Sequence, residues 1–339
     1  MMIAAEGRDR EILLGSIASV LTTNGRDPQS SAGEEYVHAF DRHVLGSTEV
    51  SPVASVAVAS PSSLAAAIGG DDECELVAEA LALSALVDQT LDPDRIDVVL
   101  AYVEALGVSS HWVEDLALSR DADLTPVIND MGARNLESVT DGRLDLSTIE
   151  DVSAWLLPYG GDGADPSLAG RYHDLQALPA TSFGRAFFDF YDHHGFAFPG
   201  EPGAVNEVFS TPHDATHLLS GYDTSPQGEL LVSTFTSQMH PIHPFEGHVL
   251  PVIYSWHLGI EFNTLAGSYR GAFDPAKFWV AWNRGAAARS DTFSTDFEFW
   301  DHVESTLAAV ADEFAIPPLA PEFRAHSTAI AGVDYHPIA

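Results

Sequence analysis

Along the whole chain, apolar residues recur at helical spacing, and no long stretch alternates apolar with polar residues as a half-buried strand would. That pattern restricts the fold to helix packed on helix. A clear instance is "DPDRIDVVLAYVEALG". Pro93 stands at a first helical position, Ile96, Val99, Leu100, Val103 and Leu106 continue the period, and Gly107 stops it. Upstream, "SLAAAIGGDDECELVAEALALSALVDQTLD" has the strongest helical composition in the chain, and Gly69-Gly70 divide it into two helices. Residues 11–21, "EILLGSIASVL", place Ile12, Leu13, Ile17, Val20 and Leu21 on one face of a first amphipathic helix.

At 339 residues the chain exceeds what one hydrophobic core usually organises, so two domains are expected. The stretch "WLLPYGGDGADPSLAG", from Trp155, is dense in Gly, Pro and Asp without apolar periodicity, which is the composition of a linker or long surface loop. The expected organisation is all-α: an N-terminal helical domain over 1–155, a linker over 156–170, a second helical domain over 171–320 and a tail over 321–339. The second half continues the helical pattern, from "SFGRAFFDFYDHHG" to "FEFWDHVESTLAAVADEFAI".

Charge and composition remove several function classes. Fifty acidic residues against 15 basic ones give a formal charge of -35, a field that repels phosphate backbones, so nucleic acid is excluded as a partner. The single cysteine, Cys74, rules out an internal disulfide framework and a cysteine-rich zinc site. Charged residues from Glu6 to Glu11 precede any long apolar core, so no secretory signal is read, and the longest apolar runs, such as "HVLPVIYSW", are far shorter than the roughly 20 residues of a spanning helix. The expected location is the cytoplasm, with peripheral contact at the inner face of the membrane compatible with it. Phosphate-binding glycine loops, dinucleotide fingerprints and nucleophile elbows do not occur.

Chemistry concentrates in "HDATHLLSGYDTSPQGE", His213 to Glu229. Thr211, Pro212 and Asp214 predict a helix start, and helical spacing then stacks His213 and His217 on one face. Gly221 ends that helix, and Ser225-Pro226 begins another with Glu229 about one turn inside it. If the two helices pack antiparallel, Glu229 faces the histidine pair. Two neutral imidazoles with one or two carboxylates suit zinc, or a ferrous or other divalent ion where positions stay open.

The string His213-Asp214-x-x-His217, eleven intervening residues and Glu229 resembles the signature of the ubiquinone-biosynthesis protein Coq4 family. Gly221 and Gly228 fall where that pattern has glycine. "LPATSFGRAFFDFYDHHGF" (Leu178 to Phe196), "AWNRGAAARSDTF" and "LAAVADEFAIPP" are similar to its flanks, so the likeness spans roughly residues 175–318. The resemblance implies an all-helical fold in which His213, Asp214, His217 and Glu229 ligate one divalent ion, zinc in the first instance and iron as the alternative. It further implies action on a polyprenylated aromatic ring late in coenzyme Q assembly, where a ring carboxyl is replaced by hydroxyl, with prenyl lipid held in an apolar groove and other biosynthetic enzymes or a second copy of the chain as partners. Phe183, Phe187, Phe190, Leu218, Phe235 and Trp256 would hold the tail, with ordinary core as the competing reading. The N-terminal half, about residues 64–118, resembles the helical tellurite-resistance B-like domain, whose acidic turn can hold a metal. Asp88, Asp92 and Asp94 stand at that turn here, and capping and solvation are the preferred explanation of them.

Two readings from different classes follow. One is a metal-dependent lyase or oxidative decarboxylase acting on a lipophilic quinone precursor or related aromatic. The other is a prenyl-lipid-binding or scaffold protein whose metal only pins helices. Further histidines stay outside the expected ligand set: His193-His194, of which at most one can face the site; His257 with Glu261, a secondary choice as proton acceptor; and "HPIHPFEGH", with His240, His243, Glu246 and His248, expected as a solvated loop.

Overall fold

The computed structural model describes residues 3, 5, 7–48, 56–121, 123–140, 152–262, 267–289 and 291–325. Among them the chain is all-α, with no β-strand. In chain order the helices are α1 (Gly7–Leu21), α2 (Ser31–His43), α3 (Pro61–Ala67), α4 (Asp71–Leu86), α5 (Pro93–Leu106), α6 (His111–Leu118), α7 (Thr125–Val139) and α8 (Val152–Leu156). They continue as α9 (Pro166–Asp174), α10 (Phe183–His194), α11 (Glu207–Ser220), α12 (Pro226–Met239), α13 (Leu250–Trp256), α14 (Pro275–Ala287), α15 (Phe299–His302) and α16 (Leu307–Glu313). No helix among the described residues is long and apolar enough to cross a membrane.

Two compact units form, each drawing on two stretches of chain: Met1–Gly132 with His248–Asn283, and Ala133–Gly247 with Arg284–Ala339. In the first unit α4 is buried on every side from Leu76 to Leu86, as expected for a helix that is apolar all round. Helices α1 and α5 pack on it, and α3 packs on both of them. Gly15 lets the 57–59 segment approach α1, since a Cβ there would lie 2.4 Å from the Ala57 carbonyl oxygen. The acidic turn is satisfied by the protein itself. Asp88 Oδ2 pairs with Arg95 at 2.7 Å, Asp88 Oδ1 accepts from Ser30 Oγ at 2.7 Å, and Asp92 caps α5.

In the second unit α11 is central, touching α10, α12, α15 and α16. An aromatic core that includes Phe183, Phe187, Phe190, Tyr191, Phe198 and Phe299 packs along it. Residues 156–170, with a linker composition, carry a 3-10 turn at Gly161–Gly163 and the first turn of α9, where Asp165 accepts from the backbone N–H groups of Ser167 and Leu168 and Pro166 follows as a first helical residue. Of the tail, Pro321–Phe323 forms a 3-10 turn and residues 326–339 lie outside the described residues.

Candidate metal centre

Helix α11 begins earlier than Thr211-Pro212 suggests. Asn206 is the cap, its Oδ1 accepting from Val208 N at 3.0 Å, and Pro212 lies inside the helix. A proline there removes one backbone donor. The extra turn places Phe209 beneath His213, and the two rings stack with centroids 5.1 Å apart. The C-terminal signal holds: Gly221 takes the left-handed conformation at φ 78° and its N–H returns to the His217 carbonyl.

Helix α12 starts as its sequence dictates, with Ser225 Oγ accepting from Gly228 N at 3.1 Å and Pro226 at the first position. Gly228 has no room for a side chain: a Cβ would lie 2.0 Å from the carbonyl oxygen of Asp223. That close turn carries Glu229 up to the histidines.

His213 and His217 bring their Nε2 atoms to 3.2 Å, and Glu229 lies 3.3 Å from the first through Oε2 and 3.5 Å from the second through Oε1. Metal–ligand bonds of about 2.0–2.1 Å in a tetrahedral set require ligand separations of about 3.3 Å, so these three groups already stand at coordinating distance from a common centre. Asp214 adds a carboxylate oxygen, and the ligand atoms of His213, Asp214 and His217 all lie within 4.8 Å of one another. On two packed helices, His213 and His217 are thus shared between two groupings, one with Asp214 and one with Glu229.

Burial and hydrogen bonds prepare the donors. His217 is fully buried and its Nδ1–H donates to the Tyr222 carbonyl at 3.0 Å, which leaves Nε2 to face the site. Burial alone would lower the His217 pKa, but the Glu229 carboxylate, with Asp214 and the Tyr222 carbonyl, outweighs it and pushes the imidazole up to about 9. Burial would likewise raise Glu229, and the two imidazoles instead hold it well below the usual carboxylate range. Asp214, buried beside the histidines, is raised by desolvation against the pull of the two histidines and of the Tyr191 phenol. An excess of acceptors converging on one point, balanced only by shared protons, is the chemistry a divalent cation satisfies.

The other histidines stay out of this set. His194 packs edge-on against Phe190 at 4.8 Å, and Phe190 stacks on His217 at 5.8 Å, so His194 is the member of its pair on the site's side while His193 is exposed. His257, in the first unit, uses both ring nitrogens on backbone: Nε2–H donates to Val87 O at 3.0 Å and Nδ1 accepts from Phe273 N at 3.2 Å. Glu261 is exposed.

The expected solvated loop at 240–248 is instead a π-helical turn over Pro244–Val249, with His240 and His248 buried. His240 Nδ1 pairs with buried Asp291, a partner 51 residues away that neutralises the cost of burial. His243 lies between Glu246 at 3.0 Å and Glu137 at 3.2 Å, contacted through opposite ring nitrogens, a geometry that cannot chelate one ion.

Of the residues proposed from the sequence as a lipid groove, Phe183, Phe187 and Phe190 are in one buried aromatic core with Leu218 packed partly buried against it, Phe235 is buried elsewhere and Trp256 is partly buried. Sequence reasoning missed Tyr191, whose phenol donates to Asp214 Oδ2 at 2.5 Å; an aromatic in an aromatic-rich helix gives no local signal of that role. Compared with family models, with curated proteins and with solved structures, the chain matches none.

Proposed function

We propose that this chain is a Coq4-like metal-dependent protein that holds one divalent cation, zinc first and iron as the alternative, on His213, Asp214, His217 and Glu229, and acts on a lipophilic aromatic of the prenylated quinone-precursor class. The carrying observation is the triangle of 3.2, 3.3 and 3.5 Å among His213, His217 and Glu229. When bound, the ion supplies Lewis-acid polarisation of a ring carboxyl or hydroxyl oxygen. The protein's own contribution is orientation and access. Tyr222 fixes the His217 tautomer, Glu229 and His213 keep about a fifth of their side-chain surface exposed, and His217 is sealed. Substrate therefore approaches from the His213–Glu229 side. In this reading the chemistry is loss of a ring carboxyl as carbon dioxide, with a proton taking its place on the ring; its replacement by hydroxyl would require dioxygen as a co-substrate.

A second reading, a lipid-binding or scaffold protein with a structural metal, is favoured by one observation. Four protein donors would fill a tetrahedron and leave no position for substrate. Elemental analysis of wild type beside His217→Ala and Glu229→Ala tests the site, with about one equivalent expected in wild type and none in either variant. Titrating the cobalt-loaded wild type with 4-hydroxybenzoate then separates the readings. A changed visible spectrum means an open position and supports the catalytic reading, whereas an unchanged one leaves the structural reading.

A further inference from the structure

Asp214 is an unusual ligand candidate, because a carboxylate 9 % exposed in an aromatic core has little water to orient it. One group does so: the Tyr191 phenol, 2 % exposed, donates to Oδ2 at 2.5 Å from across the α10–α11 contact. The ring has no freedom to leave. It stacks on Phe187 at 4.8 Å and on Phe198 at 5.0 Å, so its hydroxyl is a fixed donor rather than an adaptable one. A hydrogen bond to an ionised acceptor is short and strong, and one held this rigidly decides which oxygen remains for other partners.

We propose that Tyr191 is the positioning residue of the metal centre: by occupying Oδ2 it presents Asp214 to the cation through Oδ1 alone. The inference rests on the metal-site reading above and adds that Asp214 is a one-oxygen ligand because of a residue 23 positions away. Holding Asp214 to one oxygen keeps the coordination number low. A carboxylate free to turn both oxygens inward would raise it and close the His213–Glu229 side.

The test compares wild type, Tyr191→Phe, Asp214→Asn and the double variant, each stripped of metal and titrated with cobalt(II) alone, with zinc competition for affinity. Phenylalanine keeps the ring stacking, and thermal unfolding of the metal-free forms checks that the fold is retained. Tyr191→Phe is expected to bind one equivalent with affinity lowered about 10–100-fold, as for outer partners of metal ligands. Its cobalt visible band should weaken as coordination rises above four. In the Asp214→Asn background the same change should have no further effect. An unaltered affinity and spectrum in Tyr191→Phe, or an equal loss with and without Asp214, overturns the proposal while leaving the site intact. A wild type that binds no cobalt or zinc overturns the site reading itself.

Discussion

His217 and His257 are both buried histidines at helix C-termini, one in each compact unit, and the protein holds them in opposite states. Burial lowers the pKa of His257, and its partners are neutral backbone groups that use up both ring nitrogens. His217 spends only Nδ1 on backbone and turns Nε2 toward His213 and Glu229, and against burial the Glu229 carboxylate, with Asp214 and the Tyr222 carbonyl, lifts it to about 9. The first is a closed structural staple. The second keeps Nε2 for the site, where a proton holds the place a metal would take. Burial alone therefore says nothing about function; what matters is whether the second nitrogen already has its partner.

The largest expected effect breaks this comparison directly. His217→Ala and Glu229→Ala should abolish metal uptake, a loss greater than the roughly 10–100-fold caused by changing outer partners. His257→Ala should leave the metal content of purified protein unchanged. Metal retained in His217→Ala, or lost in His257→Ala, would reverse the roles assigned to the two residues.

Proton competition comes next. A metal-free His217 with a pKa of about 9 must lose its proton to coordinate, so affinity should rise about tenfold per pH unit up to about 9 and then level off. Stability of the metal-free protein should show opposite trends at the two residues. His217 is raised above its unfolded value of about 6.5, so its contribution is complete below that value and is lost as pH rises through about 9. His257 is lowered, so its contribution is present above about 6.5 and is lost as pH falls toward its folded value. Thermal unfolding in chelator should therefore show the gap between wild type and His217→Gln narrowing from pH 7 to 10. The gap to His257→Gln should narrow from pH 7 to 5. Parallel curves for the two variants would contradict the opposite environments.

Smaller, and confined to stability, is the loss in His257→Ala. Val87 O and Phe273 N would each lose a buried partner at about 1–3 kcal/mol apiece, so a total of about 2–6 kcal/mol is expected in chemical denaturation at neutral pH.

Much of this contrast is legible in the sequence where the physics is local. Caps at Ser225, Asp92 and Gly107, and the placing of His213 and His217 on one helix face, depend on residues within a turn of one another, and all are found. Helix α11 starts earlier than expected because Asn206 supplies the cap, and a proline six residues in, normally a start signal, is tolerated within it. Tyr191 and the His240–Asp291 pair could not be read because their partners lie 23 and 51 residues away and no spacing rule links them. The same limit separates His217 from His257: both stand in helical runs, and only tertiary neighbours decide which nitrogen is spare.

The acidic turn at Asp88 and Asp92 provides the smallest effect and the sharpest control. Its carboxylates are of a kind that can hold a metal, yet its oxygens already accept from Ser30, from Arg95 and from the backbone of α5. A cation would have to displace these donors and leave Arg95, itself largely buried, without its ion pair. Asp92→Ala should therefore cost about 1 kcal/mol through the lost cap and change neither the stoichiometry nor the affinity for zinc. If zinc uptake fell by an equivalent in Asp92→Ala while His217→Ala kept its metal, convergence of acceptors without donors would not be what marks the site. The composition of the turn would then have been the better guide than its hydrogen bonds.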